Sequence, residues 1–235
     1  MSPRRRDGAP RPTADVRVAD ALRSEILSGA RAPGEPLREE ELARRYDVSR
    51  HTVRAALAAL GAERLVQLAP YAGARVSALD DADLVALQHL RAALETEAVR
   101  LIEVAHGDAW PVTVRAPIDA AIDALADAEE RADWPATIRA HAAVHRAIVD
   151  GAGSPRIAEA HAALESEVLL LLTHVRPHYA SGVLAAEHRG YLDELRRHGG
   201  AAVRAHLDHS TELIRAARAG ALRSDVLRAD APRRK

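Results

Sequence analysis

Residues 37–65, LREEELARRYDVSRHTVRAALAALGAERL, constrain the fold more strongly than any other stretch of this chain. Two segments of helix-forming composition flank a short break at Tyr46–Val48. Ser49 follows the break and is a residue type that caps helix N-termini. Behind it, one helical face carries Val53, Leu57 and Leu60. The pattern predicts two helices joined by a tight turn, which is the arrangement of a helix-turn-helix unit.

In such a unit the second helix enters the major groove of DNA, with its N-terminal residues against the base edges. The outward residues at that position are Arg50, His51, Thr52 and Arg54. An arginine fork pairs with O6 and N7 of guanine, and threonine contacts a thymine methyl group or a phosphate. The alternative interpretation is an ordinary helical hairpin whose arginines are solvated.

The segments on either side of this unit complete a winged helix. Before it, apolar residues from Val18 through Leu22 and Ile26 predict a first helix, which the glycines and prolines of SGARAPGEP end. After it, LVQLAPYAGARVSA predicts two short strands around a turn in which Gly73 is free to adopt a positive φ. Residues 1–14 are rich in Pro and Arg without periodicity, and we expect a disordered basic arm.

Charge separates the chain into two parts with different tasks. Up to Ala78, 14 arginines against ten carboxylates give a net charge of +4, whereas the remainder has 19 basic and 24 acidic residues. All histidines except His51 lie in the second part. The basic part suits a polyanion, and the scarcity of aromatic residues argues against a single-strand binder that stacks bases.

The first part resembles the DNA-binding domain of the GntR family of transcription regulators. The resemblance extends over almost all of residues 22–79 and is carried by IL-SG, PGE-L-E-LA, VSR-TVR-AL-L and G-A-V. It implies Arg50, Thr52 and Arg54 as DNA contacts and Gly73 in the wing. His51 occupies a position where the family usually has a small or polar residue.

The second part predicts an all-helical antiparallel bundle, because helical patterns follow one another with short gaps. Asp80 and Asp81 can cap a long helix, and Ser154–Pro155 can start a later one. Arg91 lies at the edge of the apolar stripe of that first helix, which contains Leu87, Leu90, Leu94, Ala98 and Leu101. Arg91 is therefore a candidate for binding a ligand carboxylate, the alternatives being a structural ion pair or a solvated side chain.

Histidines recur on inward faces of the bundle. His141 and His145 lie four residues apart in RAHAAVHRAIV, and His188 is four residues from both Leu184 and Leu192. Two buried histidines alone could hydrogen-bond to neighbours, but three or four convergent imidazoles predict a metal. Zn suits these ligands, and Ni, Mn or Co are tolerated.

The bundle is also similar, over residues 80–218, to the FCD ligand-binding domain of FadR-type GntR regulators. The similar stretches are LQHLRAALETEAVRLI, HAAVHRAIVDGAGSPRI, AAEHRGYLDEL and VRAHLDHSTELI. The resemblance implies a divalent metal held by an Asp or Asn and three His, with a small carboxylate completing the coordination. His141 stands where the family usually has Asp, and HGDAWPVTVRAP departs from the pattern.

The last ligand is either His206 or His209. Local similarity favours His206, whereas counting residues outward from a hairpin turn at Gly199–Gly200 places His209 level with His188. By this count His206 lies roughly 5 Å from the level of His188 along the helix axis. The count therefore favours His209 as the ligand, with His206 as the alternate.

The combined prediction is a mainly α protein, with an N-terminal winged helix-turn-helix followed by a helical bundle. The domains are an arm (1–14), a DNA-binding domain (15–78), an FCD-like ligand-binding and dimerisation domain (79–219) and a flexible tail (220–235). We expect a cytoplasmic homodimer, without a membrane segment, that acts as a repressor on a palindromic operator and responds to a small carboxylate.

Two alternatives belong to other functional classes. A metal-dependent hydrolase would use the His-x3-His pair, but zinc proteases need a glutamate directly after the first histidine and Ala142 occupies that place. A metal-free sensor of an acyl ligand is the other alternative. The absence of cysteine leaves no thiolate chemistry.

Overall fold

The computed structural model describes residues 12–69, 73–107, 109–173 and 183–229, with side chains as far as residue 219. The chain forms two compact units that divide between Ala78 and Leu79. Residues 1–11 of the predicted arm and residues 230–235 of the predicted tail lie outside the described residues. None of the described helices is long and apolar enough to cross a membrane.

The first unit contains three helices and a small sheet. Its elements are α1 (Ala14–Leu27), β1 (Pro36–Leu37), α2 (Glu39–Tyr46), α3 (Arg50–Ala62), β2 (Val66–Ala69) and β3 (Gly73–Val76). The strands are antiparallel in the order β1-β3-β2, with Val66 opposite Val76 and Ala69 opposite Gly73. This is the predicted winged helix-turn-helix.

Local residue choices explain the turns of this unit. Asp47 ends α2 in the left-handed conformation, and the Ser49 side chain accepts a hydrogen bond of 3.1 Å from the Thr52 amide, as a helix cap does. Gly73 has a φ of +82°, which glycine adopts without steric cost. Helix α1 begins at Ala14, four residues before the predicted start, because the pattern of buried residues first appears at Val18.

Glu25 connects α1 to the rest of the first unit. Its carboxylate accepts hydrogen bonds from Arg31 Nε (2.9 Å), Arg45 Nη2 (2.7 Å) and the Tyr46 hydroxyl (2.8 Å). Partial burial raises the pKa of Glu25, but the bonds from Arg31 and Tyr46 outweigh that effect, and the pKa lies below its usual value. The ionised carboxylate therefore stabilises the packing of α1 beside α2.

The second unit is entirely helical in its described residues. Its elements are α4 (Asp81–His106), α5 (Val112–Glu130), α6 (Trp134–Asp150), α7 (Pro155–Ala162), α8 (Glu165–Thr173), α9 (Val183–His198) and α10 (Gly200–Ala229). Asp80 caps α4 through a reciprocal capping box with Asp83. Helix α10 continues to Ala229, so residues 220–229, predicted as tail, are helical.

The apolar core of the second unit lies between α4, α5, α6, α9 and α10. Its most buried members include Val99, Ile102, Ile118, Leu125, Val144, Ile148, Leu195 and Val203. Only Gly199 separates α9 from α10, with a φ of +52°, and a Cβ there would meet the Glu103 carboxylate. Glycine adopts this conformation without steric cost, and the turn brings α9 and α10 together as a hairpin.

Candidate metal centre and DNA-binding surface

The N-terminal end of α3 presents polar side chains at the surface of the first unit. Arg50, His51 and Arg54 are exposed, and Thr52 is half-buried because its hydroxyl lies 2.9 Å from Ser49 Oγ. Gly73 begins β3 in the wing of the same unit. The structure thus places all five predicted DNA-contact residues in the first unit, and all of them except Thr52 are exposed.

The buried stripe of α4 differs from the predicted one. Leu90 is 48% exposed, whereas three polar residues, Gln88, Arg91 and Glu95, are at most 4% exposed. They are spaced three and four residues apart along one face, together with Leu84, Ala98 and Ile102. The hydrophobic pattern missed this face because Gln88, Arg91 and Glu95 are polar. They pair with one another along α4, and Glu95 also pairs with helices distant in sequence.

Glu95 is the centre of this polar group. Its carboxylate accepts hydrogen bonds from Arg91 Nε (3.1 Å), His145 Nδ1 (2.9 Å) and His161 Nε2 (3.2 Å). Burial raises the pKa of Glu95, but the charge of Arg91 and the bonds from His145 and His161 hold it well below its usual value. A fully buried, ionised carboxylate therefore joins α4 to α6 and α7.

His141, His145 and His188 lie together on the inner faces of α6 and α9. One nitrogen of each ring lies within 4.8 Å of the others, and all three side chains are buried. Burial lowers the pKa of His188 to about 3 and that of His141 well below its usual value, and it also lowers the pKa of His145. The imidazoles are neutral at pH 7, which is the form that binds metals.

Hydrogen bonds assign the tautomers of two of these rings. His145 Nδ1 faces the Glu95 carboxylate, and His188 Nδ1 lies 2.7 Å from the Leu184 carbonyl oxygen. Since both partners only accept, both Nδ1 atoms carry the proton, and each Nε2 presents a lone pair. These two Nε2 atoms lie 3.3 Å apart and cannot hydrogen-bond to each other.

This arrangement matches what a cation needs. Two nitrogens about 2.0–2.1 Å from a tetrahedral ion lie about 3.3–3.4 Å apart. His141 Nδ1 is buried and has no hydrogen-bond partner among the described residues. Facing lone pairs cost free energy in a buried site, and a metal ion bound by both Nε2 atoms would remove that cost.

His206, and not His209, adjoins this cluster. The His206 ring lies 5.0 Å from His188 and 5.3 Å from His145, and it stacks on Tyr191 at 4.0 Å. His209 is exposed. The structure does not bring His209 to the cluster, because counting residues from the hairpin turn gives the level of a side chain along the helix axis but not its rotation around it. At about 100° per residue, His206 lies about 60° around α10 from the buried Val203, whereas His209 lies about 120° away.

Glu129 places His188 at the cluster. Its carboxylate, at the end of α5, accepts hydrogen bonds from the amides of Leu184 (3.0 Å) and Ala185 (2.9 Å) in the first turn of α9. A carboxylate in this position satisfies amides that lack partners within the helix and complements the helix dipole. The contact was not predicted, since nothing in the local sequence connects residues 129 and 184.

Arg91 forms an ion pair with Glu95 and is not left wholly free for a ligand carboxylate. Besides Glu95, it donates from Nη1 to Gln88 Oε1 at 2.9 Å. These contacts engage three of its five N–H groups. A small cavity is lined by Arg91, Ala142, His145, Arg146, His161, Leu164, Glu165 and Val168. Arg91 therefore reaches a cavity next to the histidines while being held by the residues of α4.

Comparisons with known proteins agree with this division of the chain. Residues 15–76 match the family described as bacterial regulatory proteins, gntR family, and residues 86–213 match the FCD domain. The second match alone covers more than half of the chain.

Curated relatives are regulators. A probable D-xylose utilization operon transcriptional repressor from Paenarthrobacter nicotinovorans is 30% identical over 79% of this chain and 80% of its own length. The transcriptional repressor GlaR of Escherichia coli K12 is 34% identical over 57% of this chain, and the match spans 60% of GlaR, less than two thirds. The crystal structure of a GntR regulator from Rhodococcus sp. RHA1 has a TM-score of 0.70 at 24% identity and covers 85% of this chain and 96% of its own, which shows a common fold.

Proposed function

Because this chain belongs to the GntR family of bacterial regulatory proteins and carries an FCD domain, we propose that it binds an operator through α3 and responds to a small organic acid. Members of this family are transcription regulators and not enzymes, which removes the hydrolase interpretation. We propose a cytoplasmic repressor, in keeping with the relatives described as repressors.

The observation that carries the DNA-binding proposal is the exposed N-terminal turn of α3. Arg50 and Arg54 stand outward there, on a helix whose start is anchored by Ser49. Arginine at this point of a recognition helix reads guanine in the major groove, and His51, Thr52 and Gly73 would contact neighbouring bases or phosphates. One such helix reads few base pairs, so a homodimer on a palindrome is the expected binding unit.

A gel-shift titration tests this proposal with a duplex that the protein selects from a randomised pool. We expect Arg50→Ala and Arg54→Ala each to weaken binding about 5- to 150-fold, corresponding to 1–3 kcal/mol. Affinity should also fall steeply with salt. Arg100→Ala, an exposed arginine of α4, is the matched control and should bind like the wild type. Unchanged binding by both α3 variants would remove α3 from the groove.

For the bundle, we propose that His141, His145 and His188 bind a divalent metal, with His206 as the fourth imidazole. The support is the 3.3 Å separation of the His145 and His188 Nε2 lone pairs. A set of nitrogen donors favours Zn, with Ni, Mn or Co as alternatives. When bound, the ion would supply a positive charge and a coordination position for a carboxylate oxygen.

The proposed effector is a small carboxylate that is held by this site. Arg91 has two N–H groups beyond those used for Glu95 and Gln88. The effector would change operator affinity by favouring one arrangement of the paired DNA-binding domains. A metal-free sensor of an acyl ligand is the alternative to this metal-dependent effector.

A further inference from the structure

Both arginines proposed to read bases are paired with carboxylates from the first turn of α2. Arg54 Nε donates to both oxygens of Glu39, at 2.9 and 2.8 Å. Arg50 Nη2 lies 2.7 Å from Glu40 Oε1. Acidic residues on a surface that must approach phosphates reduce affinity for any DNA, so their presence beside these two arginines calls for an explanation.

The two pairs use different parts of the guanidinium group. Glu39 engages only the Nε side of Arg54 among the described contacts, which leaves both terminal nitrogens of Arg54 for other partners. Those two nitrogens form a fork that pairs with O6 and N7 of guanine. Glu40 instead engages a terminal nitrogen of Arg50. This ion pair therefore competes with a contact between the Arg50 fork and a base.

We infer that Glu39 is a positioning residue for base recognition, which holds Arg54 with its terminal fork available to a guanine. This inference rests on the proposed binding of DNA through α3. A long arginine side chain loses rotamer freedom when it binds, and the bond to Glu39 restricts that freedom before DNA arrives. Glu39 also repels phosphates, so it lowers non-specific binding while supporting the specific contact.

Glu40 has the opposite effect on the operator. Its bond to the Arg50 terminal nitrogen must be broken or shared when Arg50 contacts a base, and its charge also repels phosphates. Removing the Glu40 charge therefore strengthens binding to both specific and non-specific DNA. Substitutions of Glu39 and Glu40, which are neighbours in the same turn, should therefore change operator affinity in opposite directions. A general change of surface charge would change the affinity in the same direction for both.

Fluorescence anisotropy on two duplexes tests this inference. One duplex is selected by the wild-type protein from a randomised pool, and the other has the same composition in shuffled order. Glu41→Gln is the matched control, since Glu41 lies in the same turn and no described contact joins it to an arginine. Relative to Glu41→Gln, we expect Glu39→Gln to bind the selected duplex about 3- to 10-fold more weakly and the shuffled duplex equally.

Further readouts separate positioning from a structural role. Glu40→Gln should bind the selected duplex at least as tightly as Glu41→Gln, and all three variants should melt within a degree or so of the wild type, as surface substitutions do. Repeating the selection with Glu39→Gln should relax the preference at one guanine in each half-site. Adding Glu39→Gln to Arg54→Ala should cause no additional loss, because the two changes remove the same contact.

The outcomes distinguish this inference from the proposed function. If the wild-type protein binds the selected and shuffled duplexes equally, binding of a specific operator through α3 fails and the role of Glu39 fails with it. If the wild type discriminates while Glu39→Gln and Glu41→Gln behave alike, DNA recognition stands and the positioning role of Glu39 is overturned.

Discussion

The two units use charge in opposite ways. In the first unit, the ion pairs of Arg50 and Arg54 lie at the surface, where water supports each partner when the pair separates. In the second unit, one buried carboxylate, Glu95, holds Arg91 and two histidines, and burial lowers the pKa of His141 and His188. The bond from Arg50 to Glu40 can be exchanged for DNA, and the bond from Arg54 to Glu39 leaves the terminal nitrogens of Arg54 open to a base. The buried network, in contrast, keeps one arrangement.

This difference assigns separate tasks to similar residue types. An exposed arginine retains its charge for phosphates and bases, while a buried histidine loses its proton and retains a lone pair for a metal. If burial has these consequences, substitutions of buried charges should have larger effects than substitutions of exposed ones.

Replacing Glu95 with Gln should produce the largest change, because Arg91 would lose its carboxylate in a buried site. Breaking a buried ion pair from one side destabilises a protein by about 3–5 kcal/mol. Urea unfolding of the bundle measures this loss. Glu97→Gln, which removes an exposed partner of Arg100 two residues away, is the control and should leave the midpoint nearly unchanged. Equal midpoints for the two variants would contradict the contrast between the units.

Removing single histidines should rank them by their place in the metal centre. We expect His145→Ala and His188→Ala to weaken Zn binding by more than about 100-fold, since even indirect contacts of metal sites are worth 10- to 100-fold. His206→Ala should cost less and His209→Ala nothing, because only His206 adjoins the cluster. Calorimetric titration of chelator-treated protein gives the affinities. A larger loss at His209 than at His206 would reverse the assignment of the fourth ligand.

A smaller effect is expected at Glu25, a partly buried carboxylate of the first unit. Its folded pKa lies below the usual value of 4.5, so its contribution is fully present above that pH and is lost as the pH falls through the folded pKa. Glu25→Gln should destabilise the first unit by about 1 kcal/mol at pH 7 and by less near pH 3. Urea midpoints at both pH values measure this. The same loss at both would show that Glu25 titrates normally.

The first unit was predictable because its signals are local. Ser49, the break before it and Gly73 each act on the chain within a few residues, and the structure confirms the Ser49 cap and the positive φ of Gly73. Helical spacing also predicted which faces of α6 and α9 point inward. The structure places His141, His145 and His188 together on those faces.

The rest of the site could not be derived in this way because its contacts are distant in sequence. Glu95 pairs with His145 and His161, which are separated from it by 50 and 66 positions in the sequence. These contacts bury a polar face of α4. The choice between His206 and His209 depended on how α10 is rotated, which residue counting along a hairpin does not give. Glu129 anchors α9 by a contact across 55 positions.

The most direct measurement of whether the buried histidines form a metal centre is elemental and mass analysis of the natively purified protein. We expect about one divalent ion per chain, with Zn favoured, and a small carboxylate retained beside it. The variant with both His145→Ala and His188→Ala should contain neither. A wild-type protein without metal, whose melting temperature does not rise when Zn, Ni, Mn or Co is added, would contradict the metal centre, and a retained acyl chain would then identify the metal-free sensor instead.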